Sequence, residues 1–167
     1  MIVCGTGHRP DKLGGYGEKA NQRLVDLAEF WLKGVRPATV ISGMALGWDQ
    51  ALAQAALNLD IPYYAYIPFN GQESKWPVNS QDVYRFLLNK ADHIVECSEP
   101  GYAVWKMQHR NECMVKDADV VLALWNGSSG GTANCVDYAK KVKKQVVNLW
   151  PVYQMIATVN SEAITNG

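Results

Sequence analysis

The sequence lacks a surplus of charge of either sign, and it lacks any apolar run long enough to cross a membrane. Its 16 lysines and arginines are balanced by 16 aspartates and glutamates, whereas proteins that bind nucleic acid through its phosphates usually carry a basic surplus. The charge balance therefore disfavours a nucleic acid partner. Because a membrane-spanning helix needs roughly 20 consecutive apolar residues, we also expect no membrane association.

Closely spaced cysteines are missing as well. Cys4, Cys97, Cys113 and Cys135 lie far apart and form no CxxC pair, whereas zinc sites and disulfide frameworks use tighter spacings. The first residues, MIVCGTGHRP, show neither the charged segment nor the cleavage site of a signal peptide. We therefore expect buried, reduced thiols, no metal site and a cytoplasmic location.

Apolar runs alternate about six times with segments of helical periodicity, such as the one containing Leu24, Leu27 and Trp31. The runs are apolar throughout, which is typical of parallel strands covered on both faces. We predict one α/β domain with a doubly wound, Rossmann-like, mostly parallel sheet of about six strands. It should span residues 1–150, and residues 151–167 should form a C-terminal tail with one short helix and a polar end.

Three predicted strands end in small-residue loops that lead into helices: GTGHRP, SGMALGWD and NGSSGGT. In such sheets ligands bind beyond the carboxyl ends of the strands, glycine permits close backbone approach, and the N–H groups of a helix start favour anions. Together the loops indicate a phosphate-bearing ligand. The binding residues predicted from them are Gly5, Thr6, Gly7, His8, Arg9, Ser42, Gly43, Gly47, Asp49, Gly127, Ser128, Ser129, Gly130, Gly131 and Thr132.

None of the loops completes a known nucleotide motif. GxxxxGK[ST] is absent, and Pro10 stands where the third glycine of GxGxxG belongs, so neither a P-loop nor an NAD dehydrogenase is indicated. We expect no cofactor.

Several single residues keep two interpretations. Arg9 suits a phosphate or a structural salt bridge, and His8 either donates to a ligand or has a satisfied backbone partner. Asp49 either caps a helix N-terminus, contacts ribose hydroxyls or serves as a catalytic carboxylate. The polar segment 70–80 is a surface connection or a flap beside the site.

The segments TGHRP, SGMALGWDQALAQAAL and MQHRNECMVKDADVVLALWNGSSGGTANCVDYAKK together resemble the SLOG superfamily. This group includes the Lonely-Guy phosphoribohydrolases, the DNA-processing protein A and many small stand-alone proteins. The members that look most similar to this chain begin with a TGxRP motif, and several of them are phage-encoded. The resemblance covers about residues 1–150, and it implies a Rossmann-like domain that binds a nucleotide-derived small molecule and forms a homodimer.

The resemblance also assigns residues. Lonely-Guy enzymes carry an arginine in an MHxRK-like stretch, which places Arg110 of MQHRN in the binding site. They carry a glutamate in PGGxGTxxE, where this chain has Cys135 in GGTANC. A thiol of pKa about 8.5 replaces a carboxylate poorly, so the sequence leaves enzymatic activity open. The candidate catalytic residues are Asp49, Arg110 and Glu112, although Glu112 should project from another helix face, about 200° from Arg110.

Three functions therefore stay open. The first is a nucleotide-binding sensor, carrier or sequestering protein without strong catalysis, which the three loops and the missing glutamate favour. The second is a hydrolase that cleaves the N-glycosidic bond of a nucleotide with another carboxylate. The third is a nucleic-acid-binding protein resembling the recombination mediators, which the balanced charge disfavours.

Overall fold

The computed structural model describes the backbone of residues 1–165 and the side chains of residues 1–159. Strands and helices alternate along this part of the chain, as predicted. The strands are β1 (Ile2–Gly7), β2 (Thr39–Ser42), β3 (Tyr63–Ile67), β4 (His93–Glu96), β5 (Val120–Leu124) and β6 (Gln145–Asn148). The helices are α1 (Glu18–Val35), α2 (Trp48–Asn58), α3 (Val78–Lys90), α4 (Val104–Asp117), α5 (Gly131–Lys141) and α6 (Trp150–Thr165), with a 3₁₀ turn at Pro10–Lys12.

The six strands form one sheet in the order β4-β3-β2-β1-β5-β6. Every neighbouring pair is parallel, and Val3 of β1 lies opposite Val40 of β2 and Val120 of β5. This arrangement confirms the predicted α/β, Rossmann-like fold. The direction in which successive strands are added reverses between β1 and β5. The loops after these two strands lead to helices on opposite faces of the sheet, and a crevice forms between the loops at the carboxyl edge.

Helices cover both faces of the central strands. On one face Trp48 and Leu52 of α2 are fully buried in a cluster that also contains Leu24 of α1. On the other face Met114 of α4 and Cys135 of α5 pack in a second cluster. The site is therefore built on a rigid frame of helix, sheet and helix.

The chain after residue 150 differs from the short helix that we expected there. Helix α6 is 16 residues long, and Tyr153 in its first turns is only 5% exposed. The physical reason is that Tyr153, Ile156 and Ala157 recur at helical spacing and pack against the first cluster.

The expectation that all strands are covered on both faces is wrong for β4. All four of its residues are exposed, including Ile94, whereas all five residues of β5 are buried. Strand β4 ends the sheet, so it has one neighbouring strand and little helix above it. Within residues 1–165, no helix combines the length and the apolar character needed to cross a bilayer.

Candidate functional site

A cavity of about 410 Å³ opens at the carboxyl edge of the sheet, where the loops after β1, β2 and β5 meet the N-terminal half of α4. Its volume lies within the range of small-molecule pockets. Of the binding residues predicted from the sequence, those that line it are Thr6, Gly7, His8, Arg9, Asp49, Arg110, Ser128, Ser129, Gly130, Gly131 and Thr132. Those that do not are Gly5, Ser42, Gly43, Gly47 and Gly127.

The glycines of β1 have a packing reason. An ideal Cβ on Gly5 would lie 2.5 Å from Leu52 Cδ2, and one on Gly7 would lie 2.5 Å from Trp48 Cδ1. Both distances are shorter than real Cβ contacts. The missing side chains therefore let α2 approach β1 closely.

The loop after β2 packs against the first loop and the start of α2, and it does not contribute Ser42, Gly43 or Gly47 to the cavity lining. Gly47 has a φ of 93°, and an ideal Cβ there would lie 2.6 Å from the carbonyl oxygen of His8. The Ser42 hydroxyl accepts from the Met44 N–H and donates to the carbonyl oxygen of Asp49, at 3.1 and 2.7 Å. These contacts fix the start of α2 against the first loop.

The loop after β5 presents the N-terminus of α5 to the cavity. Gly130 precedes the helix with a φ of 141°, and an ideal Cβ on Gly131 would have no protein atom within 4 Å. The first N–H groups of a helix have no intrahelical partner. Across the cavity mouth, Lys12 Nζ donates to Ser128 Oγ at 3.0 Å. The loop thus offers free donors with a lysine beside them.

His8 holds this loop in place. Its Nε2 accepts from the backbone N–H of Asn126 at 3.0 Å, and its ring meets Trp150 edge to face, with centroids 5.9 Å apart. Burial lowers the pKa of His8, which favours the neutral ring that this hydrogen bond requires. This contact is the backbone partner of one interpretation, and because His8 also lines the cavity, its contact with a ligand stays a prediction.

Arg110 is buried rather than solvent-exposed, with 5% of its surface accessible. Its Nη1 donates to the carbonyl oxygens of Gly43 and Tyr66, and its Nε donates to Asn111 Oδ1 at 2.9 Å. Arg110 therefore ties α4 to the ends of β2 and β3 while it lines the cavity.

Asp49 lies in the first turn of α2 but does not cap it, because Gly47 is the N-cap residue. Its Oδ2 accepts from the Ala45 N–H at 3.3 Å. Burial raises the pKa of this carboxyl to about 6, although Arg110, the Ala45 N–H and Arg9 act in the opposite direction. The site thus contains a buried carboxyl that titrates near neutral pH.

The catalytic candidate Glu112, and Cys135, which stands at the glutamate position of the Lonely-Guy pattern, do not line the cavity. Glu112 is half-buried and accepts from Gln108 Nε2 at 3.4 Å, and it does not line the cavity. Cys135 is fully buried in the second cluster, and burial raises the pKa of its thiol to about 11. At neutral pH this thiol stays protonated, so it cannot take the place of a carboxylate.

Sequence reasoning missed several lining residues, including Lys12, Gln72, Val104, Met107 and Asn111. Gln72 belongs to the polar segment 70–80, and its Nε2 donates to the Gly43 carbonyl oxygen at 3.3 Å. This contact places part of that segment beside the site. Asn111 could have been predicted from its position next to Arg110 in the sequence. No sequence pattern predicted Lys12 or Met107 as lining residues.

Asp49→Asn is expected to stabilise the protein at neutral pH by about 3 kcal/mol. The folded-state pKa of about 6 lies above the ordinary 3.8, so the folded protein binds the extra proton and stability falls as pH rises from about 4 to about 6. The amide cannot ionise, so the variant should lose this fall. Chemical denaturation near pH 4 and at neutral pH measures it, with exposed Asp11→Asn as the control. Destabilisation of Asp49→Asn at neutral pH would show that its charge serves the fold.

Comparison with known proteins identifies the family of the chain. The sequence model of the YspA SLOG family matches residues 3–157. The chain belongs to the YspA SLOG family. The predicted resemblance to SLOG proteins is therefore confirmed.

Relatives of this SLOG protein include a prophage product. The chain is 32% identical over 139 residues to the uncharacterised SPbeta prophage-derived protein YoqJ of Bacillus subtilis. The matched region covers 74% of this chain and 81% of YoqJ. A prophage-derived relative agrees with the resemblance to phage-encoded members.

Solved structures share the fold at low identity. DNA processing protein A from Helicobacter pylori, described with a single-stranded DNA binding mode, has a TM-score of 0.64 and 21% identity. The match covers 89% of this chain but 64% of that protein, so this SLOG domain spans less than two thirds of it. The molybdenum cofactor carrier protein from Chlamydomonas reinhardtii has a TM-score of 0.57 and 16% identity over 97% of this chain and 85% of its own. Because proteins of this fold include a single-stranded DNA binder, the comparisons do not support our expectation against a nucleic acid partner.

Proposed function

We propose that this SLOG protein binds a nucleotide or nucleotide-derived small molecule through its phosphate, as a sensor, carrier or sequestering protein without strong catalysis. One observation carries the proposal. The N-terminus of α5 lines the same cavity as the buried polar side chains of Asp49, Arg110 and Asn111.

The α5 end of the cavity suits an anion. The unpaired N–H groups and the dipole of a helix start attract phosphate. Lys12 reaches this end through its contact with Ser128, Arg9 lines the same cavity, and Ser128, Ser129 and Thr132 add hydroxyl donors. Since an ideal Cβ on Gly131 would meet open space, a ligand can approach this backbone closely.

The α4 side of the cavity adds an apolar surface. Val104 and Met107 line it one turn apart, and thioether side chains pack well against aromatic rings. A phosphate at α5 and a base against α4 would together use both surfaces. The relation of the molybdenum cofactor carrier to this fold is compatible with a carrier role.

A second function, N-glycosidic hydrolysis, is favoured by one observation. Asp49 has a pKa of about 6 and lines the cavity beside Arg110, and a carboxylate with such a pKa suits general acid–base catalysis. The protonated, buried Cys135 argues against the reaction proceeding as in the Lonely-Guy enzymes. We rank binding first for that reason.

Two broader expectations remain proposals. We propose a homodimer, because the large apolar side chains of Phe86 and Trp105 are 52% and 62% exposed. Sedimentation velocity would show a monomer if this is wrong.

We also propose a cytoplasmic location, because the four cysteines are free of disulfides. Cell fractionation that finds the protein outside the cytoplasm would contradict it.

A ligand screen by thermal unfolding tests the proposed function. Nucleoside phosphates, cyclic dinucleotides and ADP-ribose derivatives should include a ligand that stabilises the fold by about 2.7 kcal/mol at 100 times its Kd. The matching phosphate-free nucleosides serve as controls and should stabilise it far less. Stabilisation only by single-stranded DNA would favour the nucleic acid function, and free base detected by chromatography with any hit would favour the hydrolase.

A further inference from the structure

Three polar side chains form an inner wall of the cavity. Asp49, Arg110 and Asn111 are each more than nine-tenths buried, with 6%, 5% and 8% of their surfaces exposed, and all three line the cavity. Burial of polar groups is unfavourable unless they find hydrogen-bond partners. Their existing partners therefore show which hydrogen bonds a ligand can supply.

The hydrogen bonds of the wall leave the carboxylate of Asp49 under-used. A carboxylate has about four acceptor positions, and within the described residues Asp49 uses one, for the Ala45 N–H. It forms no ion pair of 4.0 Å or less with any described cation. An ideal Cβ on Gly43 would nonetheless lie 2.5 Å from Arg110 Nη1 and 2.9 Å from Asp49 Oδ2, so the two charged groups flank the same small space.

Asn111 contributes a donor beside that space. Its Oδ1 already accepts from Arg110 Nε at 2.9 Å, which fixes the orientation of the amide. Its Nδ2 donates to no group among the described residues. The wall thus combines unused acceptor positions on Asp49 with an unused donor on Asn111.

This combination selects a neutral group that both donates and accepts hydrogen bonds. A cationic donor is disfavoured, because Arg110, Arg9 and Lys12 line the same cavity. A second anion is disfavoured by the carboxylate itself. Hydroxyls satisfy both requirements, since each donates one hydrogen and accepts through its oxygen, and two adjacent hydroxyls can donate to one carboxylate.

We infer that Asp49 binds the vicinal diol of a ribose whose 5-phosphate lies at the N-terminus of α5, with Asn111 donating to a hydroxyl oxygen. This inference rests on the proposed function and names the ligand class more closely. The cavity then selects ribose phosphates and ribonucleotides over their 2-deoxy counterparts. Arg110 acts as a positioning residue that holds Asn111 and stabilises the carboxylate.

The test compares ribose 5-phosphate with 2-deoxyribose 5-phosphate, titrated by NMR into the full chain. Loss of one of the two hydrogen-bonded hydroxyls leaves an acceptor position of the buried carboxylate unfilled, and it should weaken binding by at least about 10-fold. Asp49→Asn should reduce this preference to less than about threefold. Asp11→Asn, at a carboxylate that lines the exposed part of the cavity, should keep the full preference.

The outcomes separate the inference from the proposed function. Equal binding of both sugar phosphates, competed by inorganic phosphate, would overturn the diol inference and leave the phosphate site intact. A preference that survives in Asp49→Asn would also overturn it, because another group would then read the diol. Binding of neither sugar phosphate, nor of inorganic phosphate, would overturn the inference and the proposed function together.

Discussion

Gly131→Val is expected to lower the affinity for a phosphate-bearing ligand by at least about 100-fold, which corresponds to roughly 2.7 kcal/mol, while the domain stays folded. Gly131 is the first residue of α5, and an ideal Cβ there would have no protein atom within 4 Å. The valine should therefore fit without disturbing the protein. Its side chain would occupy the space that a phosphate needs to reach the N–H groups of the helix.

Calorimetric titration with the best nucleotide from the screen measures this loss, and circular dichroism with thermal unfolding checks the fold. Gly17→Val is the matched control, because Gly17 also stands at a helix start, lacks neighbours within 4 Å and does not line the cavity. It should bind the ligand with unchanged affinity. Gly130 is less suitable, since its φ of 141° strains any other residue there. Affinity retained within about threefold in Gly131→Val would place the phosphate elsewhere.

The fold was predictable because its signals are local. Helix α1 begins and ends where the apolar periodicity of residues 18–35 does, and apolar runs separated by helices predict parallel strands. The exposed edge strand β4 could not be recognised in this way. Its exposure follows from the strand order of the whole sheet, which the four residues HIVE do not determine.

The approximate location of the site was also predictable, because the carboxyl ends of parallel strands meet at one edge. The role of each glycine was not. Gly7 and Gly131 look alike in the sequence, yet a Cβ on Gly7 would meet Trp48 whereas one on Gly131 would meet open space. Such differences depend on helices distant in the chain, and so does the burial of Arg110.

Asp49 and Arg110 show how the site opposes the stability of the fold. A carboxyl with a pKa raised to about 6 destabilises the folded state at neutral pH, and Arg110 limits that effect. The balance between them follows from their placement around Gly43, where a side chain would contact both.

Arg110→Ala is accordingly expected to lower the free energy of unfolding by about 2–3 kcal/mol at neutral pH, because buried acceptors lose a charged donor, and this is a large share of the stability of a small domain. The Tyr66 carbonyl oxygen would lose the Arg110 donor, the Gly43 carbonyl oxygen would keep only Gln72 Nε2, and the Asp49 carboxylate would lose the cation that most lowers its pKa. Binding should weaken as well, by roughly 1.5–3 kcal/mol if the guanidinium reaches a charged ligand group. Chemical denaturation and calorimetry measure the two effects separately.

The pH dependence and a second substitution identify the cause of the destabilisation. Without Arg110 the pKa of Asp49 should rise further, so the loss of stability should be smaller near pH 4, where the carboxyl is protonated, than at neutral pH. For the same reason Asp49→Asn, added to Arg110→Ala, should restore part of the stability at neutral pH, a coupling that a double-mutant cycle quantifies. Arg110→Lys keeps the charge but loses the planar group that reaches Asn111 and two carbonyl oxygens. Its free energy of unfolding should therefore lie between those of the wild type and Arg110→Ala. The result that would contradict this is an equal loss of stability at both pH values, with no stability regained by adding Asp49→Asn. Arg110 would then stabilise the fold only through its hydrogen bonds to carbonyl oxygens, and its charge would not affect the Asp49 carboxyl.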